Sequence, residues 1–182
     1  MNNESLHELL FANTKKHNKK YVEKHLDHYL EQYKIYVNIF NYTSERRQKS
    51  NEFFLGINAA IIGILGYIEI KSTFSSPIFF LFIPLLGIGV CYSWYQIIAS
   101  YKQINRAKFR IVHALERNLP AALFETEWEI LGRGKDVNKY APLSNIERNI
   151  PLMFITMYVV IIATKLPWKV IIDFFQTYKG IL

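Results

Sequence analysis

The sequence has one cysteine, Cys91, and it lies inside an apolar stretch, so no disulfide framework holds the chain together and its redox compartment stays open. The polar segment from Gly132 to Pro142 lacks the spacing of a phosphate-binding loop. His25 and His28 share a helical face, but no cysteine or ordered carboxylate set joins them, so they are read as solvated side chains and no metal is assigned. Glu125, Glu127 and Glu129 surround Trp128 without an accompanying nucleophile, histidine or ligand set. No catalytic residue, cofactor or enzyme activity is therefore expected. The first fifteen residues, MNNESLHELLFANTK, offer neither an apolar core nor a small-residue cleavage site, so a cleaved signal peptide is not expected. Acids are in the minority, 15 against 22 bases for a net charge of +7, yet no nucleic-acid module accompanies the excess. It is read as a topology signal and an attraction to lipid headgroups, with no nucleic-acid partner.

What the chain does have is long apolar runs. Phe53 to Ile68 is broken only by Asn58, and Ile78 to Ala99 mainly by Ser93 and Gln96. At 1.5 Å per residue the second run is about 33 Å long, against a hydrocarbon layer of about 30 Å. The two runs predict a transmembrane hairpin. A third run, Ile150 to Ala163, reaches spanning length when counted through Trp168 with Lys165 snorkelling outward. The fold class expected is an all-α integral membrane protein, a hairpin plus a third span with cytosolic helical extensions. Lys and Arg number nine before the first span, one in the turn (Lys71) and nine between Lys102 and Arg148. Both flanking regions are therefore placed in the cytoplasm, N-terminus included.

In chain order, residues 1–44 are read as an N-terminal cytosolic helical region, beginning with a short helix capped by Ser5 and Glu8. Val22, Leu26, Tyr29, Tyr33, Tyr36 and Phe40 follow at heptad spacing and give the next helix one sticky face. Residues 45–118 are read as the hairpin with a long cytosolic extension. Thr43 or Ser44 is expected to cap a new helix that brings Arg46 and Arg47 to the lipid headgroups. Pro77 should start the second helix and Asn118 end it, with the Tyr21 to Tyr42 helix as its cytosolic partner. Residues 119–149 hold a short helix over Ala121–Leu131, closed by Gly132, and a polar loop. Residues 150–182 hold the third membrane segment and, over Trp168–Tyr178, an interfacial helix.

Gly56, Ala59, Ala60, Gly63 and Gly66 recur at three- and four-residue intervals, and Gly87 and Gly89 each head a small pair with Cys91 and Ser93. Such residues allow close helix approach, so they are the expected oligomer packing surfaces. Asn58 and Gln96 are the candidate pore-lining side chains, because an amide in hydrocarbon needs pore water, another subunit or another helix, and for Asn58 a helix-to-helix hydrogen bond is the plainer alternative. Trp94 and Tyr95 are placed in an aromatic belt.

Arg46-Arg47-Gln48-Lys49-Ser50-Asn51, Ser100-Tyr101, Asn105, Lys108-Phe109, Glu116, Leu119-Pro120, Glu127-Trp128, Tyr140, Glu147 and Pro151, in that order, resemble the RipA family of octameric bacterial membrane proteins. The likeness covers residues from about 45 to 165 and implies a homo-oligomer, eightfold, in a bacterial cytoplasmic membrane. The architecture is also similar to that of SLATT-type membrane effectors. Two functions follow as expectations. One is a ring-shaped pore or membrane-perturbing effector gated through its cytosolic helices. The other is a non-conducting scaffold that binds an envelope or cytosolic protein; membrane lipids are partners in both.

Overall fold

No proline falls between Lys19 and Lys71, and the glycines there are confined to positions 56, 63 and 66. Nothing stops a helix once it starts. The computed structural model, which describes residues 3–11, 19–71, 78–134, 140 and 143–166, accordingly runs one helix, α2, through Lys19–Lys71. The break expected at Thr43 and Ser44 is absent. Their hydroxyls donate to the carbonyls of Ile39 (2.9 Å) and Phe40 (3.5 Å), one turn back on the same helix, instead of capping a new one.

Before α2 comes α1 (Asn3–Phe11), in which Ser5 lies inside the helix instead of capping it. After it come α3 (Phe79–Glu116), α4 (Leu123–Ile130), a 3-10 turn (Gly132–Gly134) and α5 (Leu143–Lys165). All the elements among the described residues are helical. α3 stops two residues before Asn118, closing with Asn118 N–H on Leu115 O at 3.2 Å and Leu119 N–H on Glu116 O at 2.9 Å, just ahead of Pro120. α4 ends at Ile130 with Leu131 as its C-cap, and Gly132 follows in the left-handed region at φ 67. Pro77, the outer turn and the Trp168–Tyr178 segment lie outside the described residues.

Contacts divide the chain into two compact units that do not follow chain order. Unit 1 is Met1–Ser50 with Ile97–Glu147, and unit 2 is Asn51–Gln96 with Arg148–Leu182. The boundaries read from sequence at 44/45, 118/119 and 149/150 therefore differ from those of the folded chain, because long helices contribute to both units.

In unit 1, Tyr29 and Phe40 of the heptad stripe are buried and Tyr33 and Tyr36 half-buried, whereas Leu26 is 72% exposed. The partner is α3, as expected: Tyr29 OH donates to Leu115 O, and Lys108 Nζ donates to Ile39 O at 3.1 Å and to Thr43 Oγ1. Burial pushes the Lys108 ammonium down and the Tyr36 phenol up. Rings carry the packing onward, with Phe40 edge-on to Phe109 at 4.8 Å, Phe109 stacked on Trp128 at 6.2 Å and Trp128 edge-on to Tyr140 at 6.2 Å.

Unit 2 brings together the apolar parts of α2, α3 and α5. Its centre is Leu65, Phe80, Cys91 and Tyr158, with Ile61, Ile88 and Phe154 around it. Most of its apolar surface stays outside. Only 11% of the most apolar stretch of α2 and of α5, and 28% of that of α3, is buried in the protomer. Among the described residues, three helices are long and apolar enough to cross a membrane. At one end of unit 2, Lys165 Nζ sits 2.6 Å from Glu69 Oε1 and 4.8 Å over the Phe80 ring. The snorkelling read from sequence is thus a contact with a carboxylate and a ring of the protein itself.

Candidate functional site

Asn58 is the one strongly polar side chain in the first apolar run, and in a helix its amide can reach back only to its own i−4 carbonyl. It does so, Nδ2 donating to Phe54 O at 2.8 Å. Its Oδ1 then accepts the Tyr158 hydroxyl at 2.9 Å and the Cys91 thiol at 3.0 Å. One side chain therefore joins α2, α3 and α5, and Asn58, Cys91 and Tyr158 are all 0% exposed. Of the partners open to Asn58, it is other helices of the protomer that supply its bonds, in place of pore water or a second subunit. Its polar atoms are satisfied inside one protomer, by partners 33 and 100 residues away.

Gly87 belongs to the same node. A Cβ built on it would lie 2.5 Å from Tyr158 Cζ, so the missing side chain is what lets α5 place its phenol on Asn58. Gly87 is thus a packing residue within the protomer, not an oligomer surface. A second amide, Asn51, accepts from Trp94 Nε1 at 2.9 Å while the indole lies parallel to Phe54 at 5.8 Å. Trp94 is 1% exposed, a core residue where an interfacial aromatic was expected.

The remaining small residues face outward. Gly56, Gly63, Gly66 and Gly89 have no neighbour within 4 Å of where a Cβ would stand, and Ala59 and Ala60 are exposed. Gln96 is exposed too, its Nε2 donating to Tyr92 OH at 2.8 Å, and Ser93 donates to Gly89 O at 3.1 Å. Helical geometry gives these positions a meaning. The buried positions Phe80, Pro84, Gly87, Cys91 and Trp94 form one face of α3, and at about 100° per residue Gly89, Tyr92, Ser93 and Gln96 lie on the opposite one. On that same outer face, toward the start of α3, are the exposed Phe82 and Leu85.

In unit 1 the buried charge is Glu116, 1% exposed. Oε1 accepts from Tyr33 OH and from Phe124 N–H, each at 3.0 Å, and Oε2 accepts from Glu125 N–H at 3.1 Å. The carboxylate thus caps α4, whose own N-cap residue, Ala122, provides no side-chain bond. Desolvation, aided by the adjoining Glu116, pushes the Tyr33 phenol up to about 12. Of the two arginines assigned to headgroups, Arg46 is exposed with its guanidinium 5.8 Å from the Tyr42 ring centre. Arg47 is mostly buried, its Nη1 3.7 Å from Glu147 Oε2, so it is committed to a protein ion pair rather than to lipid. Glu125 has the histidine partner that sequence spacing did not reveal: His113 Nδ1 lies 2.8 Å from its Oε2.

The octameric membrane protein family model (8xMP) matches residues 30–167, well over half of the chain. The chain belongs to the octameric membrane protein family. No curated protein and no solved structure matches significantly. The 8xMP match takes in α3, α4, α5 and all but the start of α2, hence both buried polar nodes, and leaves out α1. As an 8xMP chain it is a self-associating membrane protein. Among the residues missed in the sequence, Cys91 had a signal in its i, i+4 spacing from Gly87, and Tyr158 in being a hydroxyl within an apolar run. Glu116 had a signal only in the family-like pattern that includes it, and His113 only in its helical spacing from Arg110 and Arg117; the partners of each are brought near only by folding.

Proposed function

We propose that the protein assembles as a homo-octamer in a bacterial cytoplasmic membrane, N-terminus inside, as a ring-shaped, non-enzymatic pore or membrane-perturbing effector whose state is set by unit 1. The observation that carries this reading is the polar outer face of α3. Tyr92, Ser93 and Gln96 point away from the protomer core on a helix of spanning length, and polar side chains at membrane depth are costly unless they meet water or another subunit. A symmetric ring repeats the face around an axis. Phe82 and Leu85, on the same side of the helix, would form an apolar constriction able to close by dewetting. The nine-one-nine distribution of basic residues supports the orientation, and the open glycines of α2 supply the subunit contact. Since α2 and α3 run through both units, a change in unit 1 has a covalent route to the spans.

A non-conducting scaffold is the second reading. It is favoured by Leu26, Leu123 and Ile130, each about 70% exposed on unit 1, which leave apolar surface for a partner protein. Ion flux through liposomes separates the two. Flux that falls with Gln96→Leu in an intact octamer supports the pore, and a wild-type octamer that carries none refutes it. Labelling of Thr73→Cys from the cytoplasmic side only would reverse the orientation.

A further inference from the structure

α3 carries no aspartate or glutamate from Phe79 to Leu115, and its one acid, Glu116, is buried as the cap of α4. Its lysines and arginines are Lys102, Arg106, Lys108 and Arg110. Two of these are turned toward the protein: Lys102 Nζ donates to Asn145 Oδ1 at 2.7 Å, and Lys108 Nζ donates to Ile39 O at 3.1 Å and to Thr43 Oγ1. Arg110 has a partner as well. Arg106 is exposed and makes no hydrogen bond or ion pair among the described residues. It is the charge that α3 leaves outside.

Helical spacing says where that charge stands. From the outer face of α3, steps of seven run Phe82, Gly89, Gln96, Gln103 in one row and Leu85, Tyr92, Ala99, Arg106 in the next. A step of seven drifts by about 20° on a straight helix, so Arg106 stays within about 40° of Tyr92. At 1.5 Å per residue it lies about 21 Å further along the axis, beyond the end of the apolar run at Ala99. Between the two, the outward side chains Ser93, Gln96, Ser100 and Gln103 are polar and uncharged. Gln96 Nε2 donates to Tyr92 OH, which leaves the phenol its own proton to give. The face thus offers donors, a cation at its end and no carboxylate.

We infer that the pore passes small inorganic anions in preference to cations, with Arg106 as the residue that selects them. The inference rests on the pore reading and names what passes. In an eightfold ring Arg106 recurs in every subunit around one mouth, and α3 supplies no exposed acid to offset it. A ring of like charge concentrates counter-ions and repels co-ions, and low-dielectric walls focus its field into the lumen. Standing past the apolar run, the guanidinium keeps its water and avoids the cost of a charge in hydrocarbon. Screening over a Debye length of about 8 Å at physiological salt makes the preference weaken as salt rises.

The test is the reversal potential of the full chain reconstituted in zwitterionic planar bilayers under a KCl gradient, with native mass spectrometry confirming the octamer in each variant. The unmutated protein should favour chloride over potassium by roughly threefold or more near 0.1 M salt, and by less near 1 M. Arg106→Gln should bring the ratio close to one, Arg106→Glu should reverse it, and Arg106→Lys should keep it. Lys34→Gln, which removes an exposed cation paired with Glu31 on α2, should leave it unchanged. A preference for potassium in the unmutated protein, or a chloride preference retained in both Arg106→Gln and Arg106→Glu, overturns the inference and leaves the pore reading standing. An equal loss in Lys34→Gln traces the preference to net charge and overturns the role of Arg106. An octamer that carries no current refutes the pore reading and the inference with it.

Discussion

Each unit buries one polar side chain at the junction of its helices, and the two are chemically different. Unit 2 uses a neutral amide, Asn58, with a thiol and a phenol as its donors. Unit 1 uses a carboxylate, Glu116, with a phenol and two backbone N–H groups. The surroundings explain the choice. Unit 2 turns apolar surface outward, where nothing offsets the cost of a buried charge, whereas the amide of Asn58 can return one proton to its own helix. In unit 1 the first turn of α4 offers partly positive N–H groups, which make a carboxylate the better acceptor. In each unit the node is specified by its partners, and its residue type by what lies outside.

The sharpest break in this comparison is Asn58→Leu. It strands the Tyr158 hydroxyl and the Cys91 thiol in an apolar core, and we expect a loss of about 2 to 4 kcal/mol, read as a fall in thermal unfolding temperature in detergent, with the octamer lost alongside. An unchanged unfolding temperature would remove the node from the account of unit 2. Glu116→Ala should cost about 2 to 3 kcal/mol by uncapping α4, while Glu116→Gln, which keeps an acceptor, should cost about 1. Because α4 carries Glu125 and Trp128, amide exchange over Leu123–Ile130 is the readout, and equal exchange in the two variants would count against the capping role.

Gly87 and Gly63 give a paired test. Gly87→Leu should destabilise the single protomer through its clash with Tyr158, whereas Gly63→Leu should leave it stable and weaken the octamer by roughly 1 to 3 kcal/mol per contact. Native mass spectrometry alongside thermal unfolding separates the outcomes. If Gly63→Leu leaves the octamer intact, the α2 face is not the subunit contact. The smallest effect is alkaline. Tyr33 is raised from 10.0 to about 12, chiefly by desolvation and further by Glu116, so the stability it contributes is fully present below pH 10 and is lost as pH rises toward 12. Tyr33→Phe should flatten the stability profile in that window; a parallel profile would refute it.

The spans were legible because an apolar run of lipid-crossing length has few alternative uses, and the α2–α3 pairing in unit 1 because heptad spacing puts Tyr29, Tyr33 and Phe40 on one face. Legible too was the need of Asn58 for partners. Their identity was not, since neither Cys91 nor Tyr158 is near it in sequence. Gly87 and Gly63 look alike as letters; only the position of α5 makes one a cradle for a phenol and leaves the other open. Thr43 and Ser44 misled because the hydroxyl that caps a helix start can equally bond back into a helix interior, and local sequence does not decide between them. In unit 1, Arg110, His113 and Arg117 could be counted onto one face of α3 from sequence, but Glu125 meets His113 only through the placing of α4, and Arg133 meets Glu125 through a turn at positive φ.

Cys91, the sole cysteine, donates to Asn58 from a wholly enclosed position, which makes the native chain its own kinetic reporter. A thiol reagent can reach Sγ only when α2, α3 and α5 part, so the rate of alkylation, compared with that of a free thiol, measures how often the helix trio opens and how long it stays open. No engineered label is needed. If an activating ligand loosens the spans, the same rate will rise; if it tightens them, the rate will fall.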